Sequence, residues 1–258
     1  MFETGDARIK LNVDNAIATI TLARAEKLNA LDKPMILALE RVGLIIDADP
    51  KIKVALLTGE GDRAFCAGGD IEAWSSEPAE EFGLQWVRLG HRAFDALARL
   101  RQPLIAVLNG SAMGGGFELA SCADFRIAEP HTKISLPETG LGIIPGWSGT
   151  QRAVRRFGAQ IIRRMALGGE SFSAAQALSH GLVDQVSAQG ESMNVALGLA
   201  HQISARSMFA TAATKMMINA AEGEDAGRAL EALGGIAAAQ SEELKAGLEA
   251  FRAKKQKR

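Results

Sequence analysis

LIAVLNGSAMGGGFE, residues 104–118, joins a short apolar run to a loop that contains four glycines. The first five residues have the length and composition of a strand that is buried on both faces. After the glycines, Phe117-Glu118-Leu119-Ala120 is good helix-forming sequence. The stretch therefore predicts a buried parallel strand, a loop at its carboxyl end, and a helix whose first turn contains Gly115 or Gly116.

The same pattern occurs upstream. Residues 54–57 (VALL) are a second short apolar run, and the glycine loop AFCAGGD follows at residues 64–70. Between the two runs, residues 84–100 have helical periodicity, with Leu84, Val87, His91, Phe94 and Leu97 on one face. A strand, a helix and a strand in this order predict a crossover between parallel strands.

The flanking segments extend this prediction to an α/β core with a helical C-terminal third. Alternation over residues 9–22 around Asp14-Asn15 predicts a β-hairpin. Further predicted elements are a helix over residues 35–48 with Leu39, Val42 and Ile46 on its buried face, a strand at residues 124–127, and helices after Thr150 with apolar faces Val195/Leu199/Ile203 and Leu244/Leu248/Phe251.

Composition excludes several classes of protein. The 258 residues carry 29 basic and 30 acidic side chains, so no global field favours nucleic acid or an anionic membrane. The N-terminus lacks the pattern of a secretory signal, and charges interrupt every long apolar stretch. Two cysteines, Cys66 and Cys122, suit a reducing compartment, and we therefore expect a cytoplasmic protein without nucleic-acid or membrane partners.

The two glycine loops are candidate ligand-binding segments, because ligands of α/β sheets collect beyond the carboxyl ends of the strands. Glycine allows a close backbone approach, and the first turn of a helix has unsatisfied N–H donors. Two such donors could form an oxyanion hole, although the same glycines are also typical of tight turns. The sequence contains no phosphate-binding P-loop, nucleophile elbow or HExxH zinc motif.

Glu118 and Glu138 are the candidate acid–base pair. Glu118 lies three residues after Gly115, so one helical turn brings its carboxylate towards the free N–H groups. Glu138 lies in a loop before an apolar, glycine-punctuated run, where a solvated acid is the commoner outcome. Two carboxyl groups that face one apolar pocket would have separated pKa values, as acid–base catalysis requires.

Four ordered motifs resemble the crotonase superfamily, and enoyl-CoA hydratase most of all. They are AEKLNAL at residues 25–31, AFCAGGDI at 64–71, GGGFELA at 114–120, and PETGLGIIPGWSGTQR at 137–152. The resemblance implies a ββα spiral core over residues 1–200 and a helical region over residues 201–258. That region would assemble homotrimers or hexamers and complete the coenzyme A (CoA) site.

The resemblance also implies a lyase of fatty acid metabolism that hydrates a trans-2-enoyl-CoA. The N–H groups of Gly69 and Gly115 would hold the thioester oxygen, and that of Gly146 would help to place the attacking water. Glu118 would act mainly as base and Glu138 as proton donor to C2. No metal or other cofactor is implied, since CoA is part of the substrate.

Substrate contacts follow from the same resemblance. The CoA-binding residues would be Lys27, Leu28, Ala30, Ala67, Asp70 and Ile71, with Phe251 and Lys254 in the terminal helix. Glu72 departs from the family pattern, because many members have a lysine there, and this weakens the expected phosphate site. Trp147 is a second departure: its indole would either narrow the acyl pocket or pack into the core.

Other functions remain open at this point. A crotonase-type isomerase, hydrolase or decarboxylase is the main alternative, although those branches often lack one of the two glutamates. A non-catalytic CoA-binding homologue is a further alternative. One branch of the superfamily binds RNA through a lysine-rich helix, but residues 32–49 here contain only one lysine and one arginine. The acyl group is not defined by the sequence.

Overall fold

The computed structural model describes residues 2–75 and 78–227, together with residues 232, 234, 242 and 246. The chain divides into two compact units, Met1–Thr211 and Ala212–Arg258. The boundary expected after residue 200 stays a prediction. The sheets and the candidate site lie in the first unit.

A hairpin opens the fold, as predicted. Strands β1 (Ile9–Asp14) and β2 (Ile17–Leu22) pair antiparallel, with Ile9 opposite Leu22. Asn15 and Ala16 form the turn between them and have φ values of 46° and 68°. Positive φ at both central residues matches the twist of the strands and gives a tight two-residue connection.

The hairpin forms one edge of a six-stranded sheet in the order β1-β2-β3-β5-β7-β10. The other members are β3 (Val54–Gly59), β5 (Leu104–Leu108), β7 (Phe125–Ala128) and β10 (Gln185–Val186). From β2 onward all neighbours are parallel, and every residue of β3 and β5 is buried. The predicted parallel strands are therefore confirmed.

A second sheet makes the fold a spiral of ββα units. Its four strands, in the order β4-β6-β8-β9, are β4 (Ala64–Cys66), β6 (Ser111–Met113), β8 (Lys133–Ser135) and β9 (Phe172–Ser173). Strands β3, β5 and β7 of the large sheet are each followed along the chain by a strand of the small sheet. Helices complete these units, so the predicted ββα spiral is confirmed.

Ten α-helices are described: α1 (Lys33–Ala48), α2 (Ile71–Trp74), α3 (Ala79–Glu81), α4 (Arg88–Ala98), α5 (Gly115–Ala120), α6 (Arg152–Phe157), α7 (Ala159–Ala166), α8 (Ala174–Ser179), α9 (Ser192–Ser204) and α10 (Met208–Ala221). Short 3₁₀-helices span Ala25–Lys27 and Glu138–Leu141. In the part of the chain that the structure describes, no helix is long and apolar enough to cross a bilayer.

The core lies on both faces of the large sheet. The predicted face of α1 is buried, and Ala55 and Leu57 of β3 belong to the same cluster. Val54 and Leu56 point the other way and pack in a second cluster with Ala196 and Ala200 of α9. The predicted residues Val195, Leu199 and Ile203 flank these alanines and are partly buried. The second predicted face, with Leu244, Leu248 and Phe251, lies outside the described residues.

One predicted helical face is wrong at its start. Residues Phe82–Val87 form a π-helix ahead of α4, and its wider turn shifts the residues that face inward. Leu84 is therefore 64% exposed, whereas Trp86 is buried against the core. Phe94 and Leu97, further along in the regular helix, are buried as predicted. The shift brings an indole, rather than a leucine, to the site described next.

Candidate active site

A cavity with about 580 Å³ of empty space, including its open mouth, lies where the two glycine loops leave the small sheet. Both loops contribute backbone to its wall, through Gly68 and Gly69 after β4 and through Gly114 and Gly115 after β6. Aromatic and aliphatic side chains line the remainder. The two glutamates predicted from the sequence, Glu118 and Glu138, both line this cavity.

The N–H groups of Gly69 and Gly115 have no hydrogen-bond acceptor among the described residues. Leu31 pairs with this loop through the carbonyl of Gly68 and the N–H of Asp70, which leaves the N–H of Gly69 unused. Gly115 begins α5, where a backbone N–H has no partner within the helix. A methyl group added at Gly68 would lie 3.0 Å from the nitrogen of Gly115, so the two loops adjoin.

The buried carboxyl group of Glu118 is held by backbone donors. Its Oε1 accepts hydrogen bonds from the N–H groups of Trp147 at 2.7 Å and Gly149 at 2.6 Å. Ser148, between them, has φ = 82°, and a left-handed residue in this position lets neighbouring N–H groups converge on one acceptor. This donor pair fixes the orientation of the carboxyl group without neutralising it.

Glu138 reaches the same cavity from the start of the 3₁₀-helix that follows β8. Its Oε1 lies against Gly114, because a methyl group there would be only 2.8 Å away. Gly114 also has φ = 55°, so both its conformation and the close approach require glycine. The other oxygen, Oε2, is buried and has no hydrogen-bond partner in the described structure. A buried carboxyl oxygen without a partner is a candidate for binding a polar ligand atom.

Burial separates the two carboxyl groups in acidity. Desolvation, followed by the charge of Glu138, raises the pKa of Glu118 to about 8, despite the opposing effect of its two N–H donors. Desolvation raises the pKa of Glu138 to about 6. Near neutral pH these raised pKa values favour one proton on the pair, and the deeper burial of Glu118 favours its protonated form. The resemblance implied Glu118 mainly as base, whereas its burial favours the proton-donating form.

Trp147 combines the two roles that the sequence left as alternatives. Its side chain is only 3% exposed and packs in the core against Phe94, yet it also lines the cavity. Gly146, Ala67 and Ile71 line the cavity as well. The N–H groups that hold Glu118 come from Trp147 and Gly149, and the placing of water by the N–H of Gly146 stays a prediction.

The residues predicted to bind CoA lie in two segments, residues 27–30 and 67–71, which are joined by a charged cluster and by a backbone hydrogen bond. The ammonium group of Lys27 pairs with Glu72 and lies 3.8 Å from Asp70. Asp70 is buried, caps α2 and binds Arg24 at 2.8 Å. The carbonyl of Leu28 accepts a hydrogen bond from the N–H of Ala67, which joins this segment to the cavity wall. Ala30, two residues after Leu28, is buried. Phe251 and Lys254 lie outside the described residues.

The fold and this pair of carboxyl groups define an enzyme of the crotonase type, which acts on acyl-CoA thioesters. The sequence matches the enoyl-CoA hydratase/isomerase family over residues 12–258, and the chain belongs to that family. Within the described residues, no group of three histidine, cysteine or acidic side chains could hold a metal ion.

Characterised relatives and solved structures agree with this assignment. The chain is 34% identical over 225 residues to the crotonyl-CoA hydratase of Syntrophomonas wolfei, covering 86% of this chain and 85% of the relative. It is 35% identical over 209 residues to the short-chain-enoyl-CoA hydratase of Clostridium acetobutylicum, covering 81% and 80%. The structure matches that of an enoyl-CoA hydratase from Bacillus anthracis with a TM-score of 0.82, 30% identity and 96% coverage of both chains.

Proposed function

We propose that the protein hydrates a trans-2-enoyl-CoA to the 3-hydroxyacyl-CoA. The observation that carries this proposal is the pairing of Glu118 and Glu138 in one cavity, with pKa values of about 8 and about 6. An ionised and a protonated carboxyl group can work together near neutral pH, one accepting a proton and the other donating one. Hydration of a double bond needs both actions.

The proposed chemistry begins at the thioester oxygen, which accepts hydrogen bonds from the N–H groups of Gly69 and Gly115. Water attacks C3, and negative charge develops on that oxygen, where the N-terminus of α5 adds a favourable field. The ionised carboxylate takes one proton from the water, and the protonated carboxyl group gives one to C2. The pair again holds one proton afterwards, so the protons balance over the cycle.

No metal or redox group has a role in this proposal, because the substrate brings its own CoA. Lys27, Leu28, Ala30, Ala67, Asp70 and Ile71 are proposed to contact the CoA, with Phe251 and Lys254 from the terminal helix. The pair between Lys27 and Glu72 supports the expectation of a weakened phosphate contact, since the ammonium group already has an acidic partner. The cytoplasmic location stays a prediction.

Loss of the enoyl-thioester absorbance of crotonyl-CoA tests the proposal directly. The relatives named above support this choice of substrate. Hydration without release of free thiol distinguishes a hydratase from a thioester hydrolase, and product analysis distinguishes it from an isomerase or a decarboxylase. A protein that binds butyryl-CoA but leaves crotonyl-CoA unchanged would refute the hydratase proposal in favour of an isomerase, a decarboxylase or a non-catalytic CoA-binding homologue.

The activity should follow a bell-shaped pH profile. Below about pH 6 Glu138 becomes protonated and the pair loses its base, and above about pH 8 Glu118 loses its proton and the pair loses its acid. We therefore expect kcat/KM for crotonyl-CoA to be highest between these values. Steady-state rates between pH 5 and 9 check this, and a flat profile would contradict the one-proton mechanism.

We also propose that the protein assembles either as a homotrimer or as a hexamer made of two trimers. Leu141 and Ile144 at the cavity, together with Leu167, are large apolar side chains that remain largely exposed in the single chain. Covering such side chains is a driving force for association. Light scattering at micromolar concentration should give the mass of three or six chains. A stable monomer would refute this assembly and the contribution of a neighbour's Phe251 to the CoA site.

A further inference from the structure

All three tryptophans of the sequence line the cavity. Trp74 and Trp86 come from one segment and Trp147 from a distant one, and Phe82 joins them in the same wall. Trp86 and Trp147 have ring centroids 5.3 Å apart, and Trp74 and Phe82 are 5.0 Å apart. Such tilted pairs stabilise one another and form a rigid apolar surface. The part of the cavity beyond the carboxyl groups is therefore bounded by large rings.

Trp147 lies against both proposed oxyanion donors, and Trp86 lies closer still to Gly69, where an added methyl group would be 2.9 Å from its Cζ2. A methyl group added at Gly115 would lie 2.7 Å from the Cε3 and Cζ3 atoms of Trp147, and one at Gly69 would lie 3.3 Å from its Cη2. At Gly90, on α4, the added methyl would be 2.1 Å from its Nε1. The indole therefore leaves no room for a side chain at Gly115 or Gly90 and little room for one at Gly69.

The ring has little freedom to move. Gly90 lies behind its nitrogen edge, Phe94 packs against it with centroids 5.2 Å apart, and Trp86 packs against it as well. Its Nε1 is buried and has no hydrogen-bond partner among the residues that the structure describes, where packing alone holds the indole. Displacing it would require the close-packed neighbours to move, which makes it a fixed wall rather than a gate.

We infer that the Trp147 indole determines acyl-chain specificity and limits the enzyme to short acyl groups; this rests on the function proposed above. A thioester oxygen held by Gly69 and Gly115 places C2 and C3 close to the ring that lies against both glycines. The chain beyond these carbons then meets Trp147 and Trp86. The substrate class is accordingly a short-chain enoyl-CoA, because a longer chain that continues in this direction would have to displace the packed rings of Trp147 and Trp86.

Binding of unreactive saturated thioesters tests this inference separately from catalysis. Calorimetry with butyryl-CoA and octanoyl-CoA should give a clearly lower Kd for the shorter chain in the wild-type protein. In Trp147→Leu, the ratio of the two Kd values should shift towards octanoyl-CoA by at least about tenfold. The basis is that each methylene gaining buried apolar space contributes about 0.8 kcal/mol, a factor of about four. The backbone N–H of residue 147 remains, so Glu118 keeps its donor.

Phe125→Leu is the control for loss of an aromatic ring. Phe125 is partly buried in the second core cluster and is not among the described residues that line the cavity. Its Kd ratio should stay within about threefold of wild type. If the leucine variant does not fold, Trp147→Phe is the alternative, because it keeps a ring against Phe94. It should shift the Kd ratio in the same direction by a smaller factor.

Two results would overturn the inference. One is wild-type binding of octanoyl-CoA as tight as that of butyryl-CoA, and the other is an unchanged ratio in every folded Trp147 variant. Failure of the proposed function would look different. The chain-length preference would persist in the binding data while neither crotonyl-CoA nor 2-octenoyl-CoA was hydrated.

Discussion

Glu138→Gln is expected to lower kcat for crotonyl-CoA hydration by about 10²–10⁴-fold, the usual contribution of a positioned acid–base group. The amide has nearly the same shape but cannot exchange a proton, and the Kd for butyryl-CoA should change by less than about threefold. Glu118→Gln should have an effect of the same order, because the mechanism needs both members of the pair. Stopped-flow absorbance and calorimetry would measure the two quantities.

The pH dependence of stability should distinguish Glu118 from an ordinary buried glutamate. Burial raises the folded-state pKa of Glu118 above its unfolded value, so its ionisation opposes folding increasingly as the pH rises towards 8. Glu118→Gln should therefore melt at the same temperature or higher at pH 8, with the difference shrinking towards pH 4.5.

Glu129 provides the matched control, because it is also buried and also accepts backbone N–H groups, from Gly190 and Ser192. It lies outside the cavity. Burial acts to raise its pKa, but the combined hydrogen bonds from Ser192 and Gly190 outweigh burial and hold that pKa below its usual value. Glu129→Gln should therefore melt at a lower temperature above pH 5 while kcat is unchanged.

Near-normal turnover in Glu138→Gln would remove the two-carboxyl mechanism and favour a single-base reaction such as isomerisation.

Much of this site was predictable because its parts are local in sequence. A five-residue apolar strand, a glycine loop and a helix place Gly115 at a helix start, and the three-residue spacing to Glu118 follows from helix geometry. Sequence spacing could not show that Glu118 and Glu138 lie in the same cavity. This arrangement depends on the pairing of β6 with β8, in which Met113 lies opposite Ser135 and which brings Gly114 and Pro137-Glu138 to the same edge.

Two features escaped prediction for physical reasons. The π-helix over Phe82–Val87 does not follow the periodicity of a regular α-helix. As a result Trp86 faces the cavity, whereas the pattern had predicted Leu84 on the buried face. The N–H groups that donate to Glu118 are positioned by the left-handed conformation of Ser148. Serine rarely adopts this conformation, and no local sequence motif predicts it here. One sign was present in the sequence: Gly149 leaves room for Glu118, since a methyl group there would lie 2.8 Å from Oε1.

Replacing the backbone N–H of Gly115 by an ester oxygen should lower kcat by about 10²–10³-fold, the effect of removing one oxyanion-hole donor. Glycolic acid introduced at this position in place of glycine removes the donor without adding a side chain. Side-chain substitutions cannot make this test, because even the Cβ of alanine or proline would collide with the Trp147 ring at 2.7 Å. Stability should fall by only about 1 kcal/mol: the lost N–H has no acceptor among the described residues, but the ester weakens the Gly114 carbonyl, which accepts hydrogen bonds from Phe117 and Glu118.

The same ester at Gly116 is the control for general effects on the helix start. Gly116 is the next residue of the same turn, so the replacement perturbs the helix dipole similarly while leaving the proposed thioester donor in place. We expect the Gly116 ester to retain most activity, and the ester at Gly69 to match the loss at Gly115. The loss should appear in kcat more than in the Kd for butyryl-CoA, because the negative charge on the thioester oxygen develops only as water attacks C3. If the Gly115 ester retains most of its kcat in a folded protein, Gly115 is a turn glycine and the proposed oxyanion hole is wrong.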